Sequence, residues 1–189
     1  MPLLIAIVGA VLLVIVVVVG FIATRPESFR IERSAPISAS PEVVFSLIND
    51  FHHWGRWSPW EKLDPAMKKT FEGAAAGPGA IYAWTGNSKV GEGRMTLLES
   101  KPAELVTIKL EFFRPFKATN QATFQLRPTA AGSQVHWIMD GKKNFMMKAF
   151  TIFMDMDKMV GKDFEEGLAN LNTAAQAETQ RRKQAAQNS

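Results

Sequence analysis

The three histidines are the side chains in this sequence best suited to bind a metal ion. His52 and His53 are adjacent, so they point in different directions from either a helix or a strand, and His136 is expected on the outward face of a strand. A zinc or non-haem iron site needs at least three convergent protein ligands, and the chain has no cysteine to complete one. The sequence therefore predicts no metal site and no other cofactor.

Candidate nucleophiles and phosphate-binding loops lack the patterns that such sites require. Neither a Gly-x-Ser-x-Gly elbow nor a P-loop occurs, and the glycines between Gly86 and Gly93 lead into a strand rather than a helix. Tyr82, the only tyrosine, is the best candidate for acid–base chemistry, followed by Asp140 and Glu92, which we expect to face water. With only one ionisable candidate expected to face inward, the sequence does not decide whether the protein is an enzyme, but it favours a binding function.

Asn120 is the one polar side chain on the apolar face of its segment, between Ala118 and Ala122. A buried amide needs hydrogen-bond partners, because leaving one unpaired costs about 1–3 kcal/mol. A ligand, a water molecule or Tyr82 could supply the partner. The alternative is a pleat reversal or a strand end that exposes Asn120.

Apolar periodicity predicts the elements that position these residues. The pattern after residue 27 predicts a strand, a short helix that opens at Ser40, a second short helix or turn, and then five or six strands. One-sided alternation indicates a meandering antiparallel sheet. A long C-terminal helix follows, with an apolar stripe at Met156, Val160, Phe164, Leu168 and Leu171.

The first residues form a candidate membrane span. Residues 3–23 carry no charge or hydroxyl group, and a helix of 21 residues would cover about 31 Å, close to the ~30 Å hydrocarbon core. A signal peptide is the alternative, but no basic residue precedes the span and its end is a poor cleavage site. Arg25, Arg30 and Arg33 follow the span, so the positive-inside rule predicts a cytoplasmic domain on a single-pass anchor.

Composition limits the domain number and the class of partner. The 189 residues are 47% apolar, enough for one anchor and one mid-sized domain. The net charge is +4, but 22 basic residues are mixed with 18 acidic ones, which argues against binding to nucleic acid. We predict an anchor and linker at 1–27, a folded domain at 28–172, and a polar tail at 173–189 that frays into solvent.

The predicted order of elements over about residues 28–172 resembles the helix-grip fold of the START-like superfamily, often labelled SRPBCC. The resemblance implies an α+β fold in which a curved antiparallel sheet wraps around a long C-terminal helix, here preceded by one transmembrane helix. Local segments resemble the bacterial polyketide cyclase/dehydrase-like branch. These segments are SPEVVF from residue 40, WGRWSPWE from residue 54, GAIYAW from residue 79 and GKDFEEGLANL from residue 161.

The resemblance implies a hydrophobic cavity between the sheet and the C-terminal helix, although a large inward side chain taken singly is more often ordinary core than a ligand contact. It favours a domain at the bacterial inner membrane that binds or shuttles a lipid or polycyclic molecule. The alternatives are a polyketide cyclase or dehydratase, and a regulatory or assembly protein that holds a partner peptide. The predicted ligand-binding residues are Tyr82, Trp84, Phe112, Asn120, Phe124, Trp137, Met139, Met156, Val160 and Phe164.

An apolar segment at residues 144–154 is predicted to form the cavity entrance and to contact the bilayer. It holds more apolar surface than one helical face can bury, and lysines flank it. The alternative is that it forms the first turns of the C-terminal helix, packed on the sheet. Its apolar residues are Phe145, Met146, Met147, Phe150, Ile152, Phe153 and Met154.

Overall fold

The computed structural model describes residues 1–188 and contains four α-helices and a sheet of seven strands within that range. The helices are α1 (Pro2–Ala23), α2 (Pro41–Ile48), α3 (Phe145–Phe153) and α4 (Met156–Gln187). The strands are β1 (Ser28–Ile37), β2 (Lys68–Gly73), β3 (Ala80–Thr85), β4 (Glu92–Lys101), β5 (Leu105–Arg114), β6 (Ala118–Thr129) and β7 (Gly132–Lys142). Two 3-10 turns, Phe51–Arg56 and Pro59–Lys62, follow α2.

The sheet confirms the predicted antiparallel meander. Its strand order is β1-β7-β6-β5-β4-β3-β2, so consecutive strands from β2 to β7 are neighbours and β1 pairs with β7 at the opposite edge. Sequence periodicity did not identify β2, because all six of its residues are exposed and none contributes an apolar face. Its pairing with β3, with Phe71 opposite Tyr82, brings this edge strand into the sheet.

Helix α1 is long and apolar enough to cross a membrane, and the most apolar part of it is not buried against the rest of the protein. Only Ile22 within α1 is buried among the described residues. A signal sequence would share these properties of length and composition. Residues 24–27 connect the helix to β1.

Side-chain caps divide the C-terminal region into two helices. The Asn144 side chain accepts a hydrogen bond from the Met147 backbone N–H at 2.8 Å, and the Asp155 side chain accepts one from the Lys158 backbone N–H at 3.2 Å. Each cap satisfies a backbone donor that lacks a partner within its own helix. The alternative in which residues 144–154 are the first turns of the long helix is therefore wrong, since α3 ends at Phe153 and α4 starts anew at Met156.

The core lies between the inner face of the sheet and α4. Phe164, Leu168 and Leu171 project from α4 and are at most 2% exposed, as the predicted stripe requires. Trp54 and Trp57, in and just after the first 3-10 turn, are buried, and both indole N–H groups donate to backbone carbonyl oxygens at the end of α2. The fold class predicted from the sequence is confirmed.

The prediction of a fraying tail was wrong for residues 174–187, which continue α4; Ser189 lies outside the described residues. Ala174 and Ala175 pack into the core, and beyond them the tail, which has no apolar stripe, is attached to the domain by charge. Glu178 is 4% exposed and forms ion pairs with Arg56 from the first 3-10 turn and with Arg181 and Arg182 of the same helix.

We predict that Glu178→Gln lowers the free energy of unfolding by about 1–2 kcal/mol at neutral pH, a modest loss because the arginine partners remain partly solvated. The hydrogen bond from Arg181 is the main cause that holds the pKa of Glu178 below its ordinary value, with further contributions from Arg182 and Arg56. A depressed carboxyl pKa stabilises the fold above the unfolded pKa of about 4.3 and loses this effect as the pH falls below it.

Denaturant unfolding of the detergent-solubilised chain at pH 7 and pH 3 measures this effect, with exposed Glu166→Gln on the same helix as the control. The difference in the free energy of unfolding between wild type and Glu178→Gln should be smaller at pH 3 than at pH 7. An equal difference in unfolding free energy at both pH values would contradict the proposed role of the Glu178 carboxylate.

Candidate functional site

The predicted ligand-binding residues face inward, and most of them belong to the packed core. Tyr82, Trp84, Phe124, Trp137, Met139 and Phe164 are buried in one apolar cluster. Phe112 and Val160 are half-buried against it, and Met156 is half-buried at the start of α4. The inward orientation follows from the period-two alternation of the strands and from the three- or four-residue spacing along α4, whereas contact with a ligand stays a prediction.

The space between the sheet and α4 is filled by aromatic rings around Trp137. The Trp137 ring stacks on Phe164 with centroids 4.1 Å apart and packs against Phe124 at 4.8 Å. Trp57 and Trp60 contact it edge-on at 5.6 and 5.7 Å. The predicted cavity is therefore occupied by side chains at this level of the sheet, which favours the core interpretation of these residues.

Tyr82 is held as a hydrogen-bond donor. Its hydroxyl donates to Glu61 Oε1 at 2.7 Å, and Glu61 also pairs with Lys69. Burial first, and then the neighbouring Glu61 carboxylate, raise the pKa of Tyr82 well above its ordinary value. A tyrosine in this setting stays protonated and is unsuited to act as a general base near neutral pH.

The three histidines lie in separate local settings. His52 Nδ1 lies 2.7 Å from Asp50 Oδ1, and His53 Nδ1 lies 2.9 Å from the Ser46 carbonyl oxygen. His136 is on the outward side of β7, with Nδ1 3.1 Å from Glu32 Oε1. Within residues 1–188, no three potential metal ligands form a group that could hold an ion.

An open cleft of about 1020 Å³ lies at one end of the sheet. Its lining comes from the start of β1, the end of β7 and the start of β6, together with the end of α1 and the start of α3. Of the ten predicted site residues, Asn120 is the one that lines this cleft. The segment predicted to form the cavity entrance contributes Asn144, Phe145 and Lys148, and its flanking lysines also line the cleft. The lining residues from the linker, β1, β4, β5 and most of β6 were missed because they come from distant segments that carry no shared motif.

Asn120 lines the cleft and carries a buried polar atom without a partner within residues 1–188. Its side chain is 8% exposed, and its Oδ1 has no hydrogen-bond partner among the described residues. Its Nδ2 makes one weak contact, 3.9 Å from Met139 Sδ. Gly141 lies opposite on β7, where a Cβ atom would collide with Asn120 Oδ1 and with the Phe29 ring. The structure thus buries Asn120, and a ligand or water donor could recover the roughly 1–3 kcal/mol that its unpaired oxygen costs.

A family model described as polyketide cyclase / dehydrase and lipid transport matches residues 28–176. The chain belongs to this family. Membership confirms the START-like assignment and supports a domain that binds a hydrophobic ligand. No curated protein matches the chain.

Solved structures of other proteins share the fold of this family member at low sequence identity. A protein from Rhizobium leguminosarum is 11% identical with a TM-score of 0.59, and the match covers 80% of this chain and 96% of that one. The Aha1 dimer from Colwellia psychrerythraea is 15% identical with a TM-score of 0.55, and the match covers 78% of this chain and 96% of that one. The di-domain ARO/CYC protein StfQ of the steffimycin biosynthetic pathway is 11% identical with a TM-score of 0.57, and the match covers 83% of this chain and 52% of that one. At these identities the likeness shows the fold alone.

In this member of the polyketide cyclase and lipid transport family, the cleft combines apolar and basic lining. The apolar part includes Ala23, Phe29, Leu98 and Phe145. Lys148 is buried beside them, and its Nζ lies 3.2 Å from Glu27 Oε1 and 3.5 Å from the Ala23 carbonyl oxygen. This lysine connects α3 to the end of α1, so α1 is part of the cleft.

Proposed function

We propose that this protein is a membrane-anchored domain that binds or shuttles a hydrophobic small molecule, a lipid or a polycyclic compound, at the bacterial inner membrane. The observation that carries the proposal is the joint construction of the cleft by α1, its linker and the sheet. The end of α1 contributes Ala23, the linker contributes Glu27, and the sheet contributes Phe29 and Asn120. A ligand that leaves the bilayer beside α1 reaches such a cleft without crossing bulk water. The cleft volume of about 1020 Å³ is large enough for one lipid-sized ligand.

The proposal includes a spanning role for α1 and a cytoplasmic domain. Arg25 and Arg30 follow the helix, as the positive-inside rule expects for a cytoplasmic flank. The four residues between α1 and β1 reach at most about 14 Å, which keeps the domain close to the headgroups. The linker is also held on the domain, because the Lys143 backbone N–H donates to the Glu27 carbonyl oxygen at 2.6 Å.

Binding is better supported than the cyclase or dehydratase alternative. Catalysis of that kind needs a group in the ligand site whose pKa suits proton transfer. Asn120 does not titrate, and Tyr82 lies outside the cleft lining with a raised pKa. The two carboxylates in the lining, Asp140 and Glu27, are held in ion pairs. The cleft therefore presents surfaces for holding a ligand, and no described feature favours the alternative of a partner peptide.

Native mass spectrometry of the full chain, released from nanodiscs of defined lipid composition, tests the proposal. We expect each wild-type chain to carry about one lipid. The Asn120→Leu variant should retain at least about five-fold less lipid, because it lacks one hydrogen bond to the ligand. The variant should be as stable as wild type or more stable, because the unpaired buried oxygen is gone.

Gln125→Leu on the opposite face of the same strand is the matched control and should retain the lipid. A folded wild-type chain that carries no lipid from any membrane mixture would overturn the proposed function.

A further inference from the structure

The polar lining of the cleft carries more positive than negative charge. Within residues 1–188, five lysines and two acidic residues line it. Both carboxylates are already paired, Asp140 with Arg30 at 3.3 Å and Glu27 with Lys148 at 3.2 Å. The acidic side chains are therefore not free to neutralise the remaining lysines, which are Lys109, Lys117, Lys142 and Lys143.

Three of these lysines have no ion-pair partner in the described part of the chain. Lys109 pairs with Glu111 at 2.8 Å, whereas Lys117, Lys142 and Lys143 form no such pair. Lys142 ends β7, Lys143 follows it, and Lys117 directly precedes β6, the neighbour of β7. The unpaired ammonium groups thus come from one end of the sheet, beside an apolar cleft. This arrangement favours a ligand whose negative charge lies next to an apolar part.

Lys148 adds a buried cation to the same place. Its side chain is 8% exposed, and its ammonium group donates to Glu27 Oε1 and to the carbonyl oxygen of Ala23, the last residue of α1. An ammonium group has three donors, so one remains for a ligand atom. Because Ala23 ends the apolar helix, this donor lies where the headgroup layer of a bilayer would meet the cleft.

We infer that the cleft binds the anionic headgroup of a phospholipid, with Lys142, Lys143 and Lys148 as the cations that contact the phosphate group. The apolar lining takes the start of the acyl chains, and Asn120 Oδ1 accepts a hydrogen bond from an O–H or N–H group of the lipid. The inference rests on the proposed lipid-binding function and adds the headgroup class to it. Free phosphate shares the anionic chemistry, so the test includes it.

The test is a lipid competition on the full chain in nanodiscs that hold equal amounts of phosphatidylglycerol and phosphatidylcholine with identical acyl chains. We expect wild-type protein, analysed by native mass spectrometry, to retain phosphatidylglycerol at least about ten-fold over phosphatidylcholine. Lys142→Gln/Lys143→Gln should lower phosphatidylglycerol retention roughly 25-fold, since each lysine near an anionic headgroup contributes about five-fold. Lys68→Gln/Lys89→Gln, two exposed lysines outside the cleft, should leave it unchanged.

The outcomes separate the inference from the proposed function. Equal retention of both lipids would overturn the headgroup inference and leave lipid binding intact. Absence of any bound lipid in the wild type would overturn both. Displacement of phosphatidylglycerol by excess inorganic phosphate would show that the cations form a free-anion site, which also overturns the inference.

Discussion

Replacing Trp137 with alanine is expected to lower the free energy of unfolding by about 3–5 kcal/mol, the range measured for truncation of large buried aromatic side chains. Trp137 is 2% exposed and lies at the centre of the sheet–α4 interface. Its ring is parallel to that of Phe164, at an interplanar angle of 6°, and it also contacts Trp57, Trp60 and Phe124. Truncation would remove one contact from each of these rings and open a cavity in a close-packed interior.

Equilibrium denaturation of the detergent-solubilised chain measures the loss. Trp137→Phe keeps an aromatic ring and should lose less stability than Trp137→Ala, and Phe116→Ala, at a side chain 61% exposed, should change stability by less than about 0.5 kcal/mol. The ligand-lining hypothesis for Trp137 makes the opposite prediction. An unchanged unfolding midpoint together with reduced lipid retention would support that hypothesis and reject a core role.

A fluorescent label on α3 is expected to enter the bilayer. Phe153 is 89% exposed, Met146 is 64% exposed and Phe150 is 53% exposed, while Lys148 is the one buried residue of this helix. Transfer of one phenylalanine side chain from water to an apolar medium is favourable by about 1.5–3 kcal/mol. A short helix with several such side chains beside the end of α1 is suited to lie in the membrane interface.

The absence of cysteine allows a single label at any chosen position. We predict that an environment-sensitive dye on Phe153→Cys in reconstituted full-length protein is quenched strongly by spin-labelled lipids. The same dye on Ala130→Cys, in the β6–β7 turn at the opposite end of those strands from the cleft, should remain in water.

Charge substitution separates membrane contact from packing. Phe150→Glu should reduce the quenching of the dye at residue 153 and leave the melting temperature nearly unchanged, because Phe150 is half-exposed in the absence of lipid. Equal quenching at residues 153 and 130, or a large loss of thermal stability in Phe150→Glu, would reject the contact between α3 and the bilayer.

The sequence by itself determined the class of fold and which side chains face inward. Alternation along β6 and β7 assigned Phe124 and Trp137 to the buried face, and spacing of three or four residues assigned Phe164 to the same core. These assignments succeed because side-chain direction in a strand or helix is set by local backbone geometry, which has a fixed period.

Arg33 shows the limit of inference from local sequence patterns, because the sequence analysis interpreted it only as a basic residue flanking the candidate membrane span. It lies in the inward phase of β1 and pairs with Asp157 at 3.0 Å and with Glu165 at 2.8 Å on α4.

The tertiary structure alone decided which inward residues are core and where the cleft lies. Spacing could not separate the Trp137 ring, packed among other aromatic rings, from the Asn120 amide that lines the cleft, since both occupy inward positions on adjacent strands. The cleft joins Ala23, Lys117 and Lys148, which are far apart in the chain and have no common pattern. The pairing of Glu178 with Arg56, 122 residues away, likewise made the polar tail a helix. Contacts of this kind depend on how the edges of the sheet close against the helices, which no local period encodes.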